Sequence, residues 1–193
     1  MCQIYNLGGI HTMSKQARII SAFPACGKTT YWKKYSIYSP DNVSRKPTTN
    51  FDDYVKRVNS NSKILDSDSS VFSWLYDPYT LKKTDKRNPE FPNNYIKHIK
   101  NKMLTEDIIF ISSHKQVREA LKQLDIPYTL VIPKRELKDE WIERFRSRGN
   151  TEEFINNVIK NWDDWMDELY ADRCELVVRL NSGEYIDKAI FCN

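Results

Sequence analysis

No apolar run in the 193 residues approaches the roughly 20 needed to span a bilayer. The stretch from 1 to 13 also lacks the long apolar segment of a secretory signal. Cysteine is scarce: four residues, at positions 2, 26, 174 and 192, with no pair at zinc-finger spacing. Reduced thiols in a cytoplasmic protein are therefore expected, rather than disulfides or a metal knuckle. Neither sign of charge dominates. Lys and Arg number 30 against 26 for Asp and Glu, a net charge of +4. That balance suits anionic ligands but is too weak for a protein that coats nucleic acid. There is no internal repeat and no long linker, so one domain is preferred. What is present is a hydrophobic fraction of 40% and an aromatic fraction of 12%, enough for one substantial core and too much for a disordered chain. Residues 1 to 16 read as an N-terminal extension, with Met13 as an alternative start, and 17 to 193 as the domain.

Short apolar segments at 18 to 23, 62 to 65, 107 to 112, 128 to 132 and 174 to 180 predict strands. Helical segments are predicted at 27 to 35, 93 to 103, 116 to 124 and 151 to 170, the last with Thr151 and Glu153 in its first turn. Strands alternating with helices predict an α/β fold with a parallel sheet covered on both faces. Ligands of such sheets bind beyond the carboxyl ends of the strands, so the polar residues there are the first candidates.

The strongest signal follows the first strand, in Ala22-Phe23-Pro24-Ala25-Cys26-Gly27-Lys28-Thr29. Gly27 lets the backbone wrap closely around an anion, and successive amides at a helix start meet negative charge. Lys28 and Thr29 stand where a Walker A loop needs its ammonium and its Mg²⁺-binding hydroxyl. Ala25, Cys26, Gly27, Lys28, Thr29 and Thr30 are the candidate nucleotide-binding residues. One departure is Ala22, which occupies the position of the first glycine of that loop.

After the second strand comes Asp66-Ser67-Asp68-Ser69-Ser70. Carboxylates two apart on a strand point to one side. Asp66 is a candidate for Mg²⁺ with Thr29, or for a general base if the acceptor is an alcohol, and Asp68 for substrate. The alternative is an acidic turn or helix cap. The stretch from 72 to 103 is long for a crossover and rich in aromatic and basic residues. It reads as an acceptor-binding lobe, with Phe72 and Trp74 as candidates to stack on a base, or equally to pack in the core. The third strand leads into Ser112-Ser113-His114-Lys115. His114 is either a substrate contact or a structural hydrogen-bonder, and Arg118 is the better anion-binding candidate. Beyond the fourth strand, 134 to 150 holds Lys134, Arg135, Arg144, Arg146 and Arg148. Arg144 and Arg148 share a helical face and suit a lid over transferring phosphates, or surface ion pairs with Asp139, Glu140 and Glu143. The turn 181 to 185 either approaches the donor base or simply connects to a terminal helix.

The ordered set of Phe23-Pro24-Ala25-Cys26-Gly27-Lys28-Thr29, Leu65-Asp66-Ser67-Asp68-Ser69-Ser70, Ser112-Ser113-His114-Lys115 and the basic stretch 133 to 150 resembles the P-loop nucleoside monophosphate kinases. More narrowly it resembles the small phage-type deoxynucleoside monophosphate kinase-like proteins, which would place it in a host cytoplasm. The resemblance implies a P-loop three-layer sandwich with a mostly parallel five-stranded sheet in the order 2-3-1-4-5. It implies ATP with Mg²⁺ as donor and a (deoxy)nucleoside monophosphate as acceptor. Lys28, Asp66, Arg144 and Arg148 would be catalytic, and Asp68, Phe72, Trp74, His114, Arg118 and Arg135 would bind the acceptor. Two other readings stay open: a kinase acting on a hydroxyl of a small molecule or nucleic-acid end, and a non-catalytic nucleotide-binding regulator. Apart from such an end, no nucleic-acid or membrane partner is expected.

Overall fold

The computed structural model describes residues 16–38 and 62–190. All but the last residue of the expected N-terminal extension lies outside this range. Five strands form one sheet: β1 (Arg18–Ala22), β2 (Ile64–Asp66), β5 (Ile108–Ser112), β6 (Thr129–Pro133) and β7 (Leu176–Leu180). They lie in the order β2-β5-β1-β6-β7, and every neighbouring pair is parallel. Two strands absent from the expectation, β3 (Trp74–Tyr76) and β4 (Lys83–Arg87), form a separate antiparallel hairpin. Their insertion changes the chain numbering of the large sheet. Its own strands, taken in chain order, lie second, third, first, fourth, fifth.

The inner strands β1, β5 and β6 are almost wholly apolar and buried because a parallel sheet covered by helices leaves neither face to water. The edge strand β7 instead mixes exposed and buried positions. Helices α1 (Lys28–Tyr35), α2 (Ser70–Ser73), α3 (Asn93–Lys102), α4 (Lys115–Gln123), α5 (Lys138–Ser147), α6 (Glu152–Tyr170) and the short α7 (Asp187–Ile190) fill the connections. The α6 helix shows why a sequence pattern becomes a packed element. The Thr151 hydroxyl accepts from the Phe154 amide at 3.3 Å, and Glu152 and Glu153 favour the positive helix start. Ile155, Val158, Trp162, Met166 and Leu169 then recur every three or four residues and form the buried stripe.

The stretch 134 to 150, expected as an arginine lid, is corrected by its packing. A short 3-10 turn (Arg135–Leu137) leads directly into α5, whose Trp141, Ile142, Arg144 and Phe145 are all buried. A helix with its bulkiest side chains in the core is part of the domain rather than a flap over it. The stretch 72 to 103 is an inserted unit made of the end of α2, the hairpin and α3. It is tied down where the Tyr95 hydroxyl donates to the Ser67 carbonyl at 2.7 Å and Asn94 donates to the Phe72 carbonyl at 2.9 Å. Among the described residues no helix is long and apolar enough to cross a membrane.

The topology marks the part of the sheet where ligands of parallel α/β folds bind. From β1 the chain runs to β2 at one edge, while from its neighbour β5 it crosses to β6 on the far side of β1. Connections that diverge from adjacent parallel strands open a crevice beyond their carboxyl ends. Ala22 and Ser112 are paired at those ends, so the loop after β1 and the turn after β5 border the same crevice.

Candidate functional site

The loop between β1 and α1 is held by its carbonyls. Trp141 Nε1 donates to the Pro24 carbonyl at 2.9 Å, and the Ile186 amide donates to the Cys26 carbonyl at 2.8 Å. Arg144 reaches the Ala25 carbonyl at 3.4 Å. At the two ends, the Phe23 amide donates to Val131 and the Gly27 carbonyl accepts from Tyr31, each at 2.9 Å. The amides tell the opposite story. Among the described residues those of Ala25, Gly27, Lys28, Thr29 and Thr30 donate to no protein acceptor. Ala25 and Gly27 have positive φ, 65° and 91°, which curls the backbone at the start of α1. A curl of this kind at a helix start, with its amides unpaired, is a shape that can accept an anion.

Gly27 is favoured by its left-handed backbone, and a Cβ there would lie 3.0 Å from Tyr185 Cδ1, so that ring would have to give way. Gly27→Ala is expected to cost about 1–2 kcal/mol from the backbone alone, before any displacement of Tyr185. A denaturant melt with an unchanged midpoint would show that the loop does not need this curl.

Lys28 Nζ donates to the Ala22 carbonyl at 2.9 Å, folding back over the mouth of the loop. Burial lowers its pKa, while Asp66 and Asp68 pull it the other way. Cys26 lies wholly inside, and burial pushes its thiol up to about 12 against the pull of Lys28, Arg144 and Arg148. It is therefore protonated at neutral pH and is no nucleophile. Thr29 Oγ1 donates to Asp66 Oδ2 at 2.6 Å, which joins the loop to the end of β2. Among the described residues no three His, Cys, Asp or Glu side chains form a metal cage. A cation at Thr29 and Asp66 would thus draw its remaining oxygens from phosphate and water, as Mg²⁺ commonly does.

On the β2 and β5 side, Asp68 forms an acidic turn before α2, since its two oxygens accept from the Ser70 amide and hydroxyl, each at 2.8 Å. His114 Nδ1 lies 2.9 Å from Ser112 Oγ and 3.4 Å from Ser69 Oγ. Desolvation of its ring lowers the His114 pKa, helped by the charges of Arg87, Lys28 and Arg118 and opposed by Asp68. Phe72 packs on Tyr95 and His98 with ring centroids 5.0 and 4.8 Å apart, the core-packing alternative. Trp74 sits outside the large sheet, with the Arg87 guanidinium 3.8 Å and the Lys83 ammonium 4.9 Å from its ring.

Two of the four arginines singled out from the sequence, Arg118 and Arg144, are buried with protein partners, against the ligand roles expected of them, and Arg135 forms a surface ion pair. Arg118 is 2% exposed, donates to the Ser113 carbonyl and pairs with Asp172 and Glu168. Arg135 pairs with Asp167 of α6 and lies over the Tyr170 ring. Arg144 is clamped between Trp141 and Tyr185, 4.0 and 4.1 Å from their rings. It also donates to Glu140 and to the Glu184 carbonyl, so it braces the loop from behind instead of reaching over it. Only Arg148 is exposed near the loop, and among the described residues its guanidinium has no carboxylate partner. The 181 to 185 turn is part of the same brace, through Tyr185 on Gly27 and the Gly183 amide on Glu140.

Sequence reasoning missed Trp141, Glu140 and Tyr185 as the residues that shape the loop. No local signal marks them, because they lie more than 100 positions away and meet it only in the folded chain. Comparison with protein-family models, with curated proteins and with solved structures gives no match in any of the three, so the functional reading rests on this site alone.

Proposed function

We propose that the chain is a P-loop phosphotransferase that moves the γ-phosphoryl group of ATP, with Mg²⁺, to a (deoxy)nucleoside monophosphate. The observation that carries this reading is the division of labour in the loop: carbonyls bound from behind, and five amides from Ala25 to Thr30 without protein acceptors. Polyphosphate is the ligand such a concavity suits, and Lys28 lies beside it to neutralise charge. The all-parallel sheet, with the loop beyond its central strand, supports placing the chain among the P-loop sandwiches.

The donor set also fits Mg²⁺, a hard cation that takes hydroxyl and carboxylate oxygen and would be held by Thr29 and Asp66. When bound, the ion supplies charge neutralisation and a template for the phosphates. In the transfer, the bond from the γ-phosphorus to the bridging oxygen breaks, leaving ADP, and a bond forms to an oxygen of the acceptor phosphate. That oxygen is already deprotonated at neutral pH, so the protein's part is alignment and charge stabilisation rather than base catalysis. Lys28 and the loop amides hold the donor side, Arg148 stands as the exposed cation near them, and the crevice toward His114 receives the acceptor.

A hydroxyl acceptor is the second reading. It is favoured by the burial of Arg118 against Asp172 and Glu168, which takes that arginine away from an acceptor phosphate, together with the carboxylates of Asp66 and Asp68 close enough to Lys28 to shift it. There Asp66 would take the hydroxyl proton as the oxygen attacks the γ-phosphorus. A coupled ADP-release assay across ribo- and deoxynucleoside monophosphates and their nucleosides tests both. ADP release with none of them would overturn the kinase reading. Asp66→Asn separates the two. With a phosphate acceptor it should raise the half-saturating Mg²⁺ concentration about 10–100-fold and preserve kcat at saturation. A fall in kcat of about 10²–10⁴-fold at saturating Mg²⁺ and unchanged ATP affinity is the outcome for a general base.

A further inference from the structure

Resting on the phosphoryl-transfer reading, we propose that Arg87, on the β3–β4 hairpin, binds the phosphate monoester of the acceptor, with Trp74 as its positioning residue and His114 as its neighbour in the pocket. Trp74 and Arg87 are paired residues of the antiparallel hairpin, so their side chains stand on one face. The guanidinium carbon lies over the indole, 3.8 Å from its centre. This stack restricts the side chain, lowering the entropy lost when it grips a ligand. Among the described residues Arg87 has no carboxylate partner, whereas Arg118 and Arg135 are tied to Asp172, Glu168 and Asp167. A cation that is held in place yet unneutralised is suited to an anionic ligand.

The backbone brings this cation to the crevice. The Asn88 amide donates to the Ser73 carbonyl at 3.1 Å, which fastens the hairpin's base to α2, and α2 starts at the Asp68–Ser70 turn. The Phe91 amide donates to Asn88 at 3.1 Å, and the Phe91 ring meets His114 edge-on at 6.1 Å. Four residues thus carry the chain from Arg87 back to the end of β5. The charge of Arg87 is felt at His114, where it helps hold the imidazole neutral. His114 engages Ser112 and Ser69 through Nδ1, and among the described residues its Nε2 has no protein partner. One guanidinium stacked on an indole, two hydroxyls and an imidazole near the end of β5 are the donors that a phosphate monoester requires.

The test is equilibrium binding without ATP, by calorimetry, of nucleoside 5′-monophosphates and a 5′-phosphorylated oligonucleotide, each against its dephosphorylated counterpart. The native chain should prefer the phosphorylated form by about 10–100-fold, the range of a charge-assisted pair. The mononucleotide and oligonucleotide arms show which source of monoester the pocket takes. Arg87→Ala should erase the preference, Arg87→Lys should restore part of it, and Trp74→Leu should weaken it less than Arg87→Ala. ATP affinity should be unchanged in all three. Since Arg87 is exposed, loss of folding is not expected, and a circular dichroism melt checks it. A phosphate preference that survives Arg87→Ala, or its absence in the native chain, overturns the proposal. If the preference is present and depends on Arg87 while ADP release is absent, the pocket stands and the phosphotransferase reading falls.

Discussion

Lys28→Ala is expected to reduce ATP-dependent phosphoryl transfer by at least about 10²–10³-fold, the loss typical when one fixed donor to the reacting charge is removed. The fold should survive. The Lys28 ammonium makes its hydrogen bond to the Ala22 carbonyl, at the edge of the crevice, and burial already disfavours its charge. Deleting it removes one bond and one desolvated cation, two effects of opposite sign on stability. The melting midpoint should therefore move by only a few degrees, on the order of 1 kcal/mol or less. Turnover of Lys28→Ala close to that of the native chain would take the loop out of the mechanism.

Arg118→Ala is expected to do the reverse: to destabilise by about 3–5 kcal/mol and leave acceptor affinity unaltered in the molecules that remain folded. Its guanidinium is the charge between Asp172, whose side chain is 1% exposed, and Glu168. Lys122 at 3.1 Å and the Tyr128 hydroxyl at 2.6 Å still reach Asp172, so the loss should fall toward the lower end. A thermal melt should show the midpoint lowered by roughly 6–12 °C. Burial by itself would raise the Asp172 pKa, but its bonds to Tyr128 and Lys122 and the charges of Arg118 and Lys122 bring it below its ordinary value. A depressed carboxylate contributes stability above its unfolded pKa and loses it as pH falls through the folded one. The native chain should therefore lose this contribution below about pH 4, a dependence that the Arg118 variant should show in weaker form. A raised acceptor KM with normal stability would return Arg118 to the substrate.

The same two residues show how much was legible beforehand. Lys28 stands out as a candidate in the sequence because the features that single it out are local: a buried apolar strand, a glycine at the turn and a hydroxyl at the helix start. Arg118 was assigned to a ligand from its place after β5, and the carboxylates that neutralise it sit 50 and 54 residues later. Periodicity has no access to that separation. Arg144 was misread for a similar cause, since spacing to Arg148 says which side of a helix it occupies but not whether that side faces water or Trp141 and Tyr185. The hairpin β3–β4 escaped because its strands are short and mostly exposed, so no buried face imposes an alternating pattern.

What the sequence by itself determined is the alternation of buried strands and helices, the extent of α6 from its Thr151 cap, and a loop whose composition suits phosphate. These follow from interactions within a few residues: apolar period, capping and the backbone freedom of glycine. Only the tertiary structure decided which charges are available to a ligand. A guanidinium is free or neutralised according to what packs beside it, and those neighbours come from distant parts of the chain. Folding buries Arg118 and Arg144 against protein partners, pairs Arg135 with Asp167 at the surface, and leaves Lys28, Arg87 and Arg148 without carboxylate partners among the described residues.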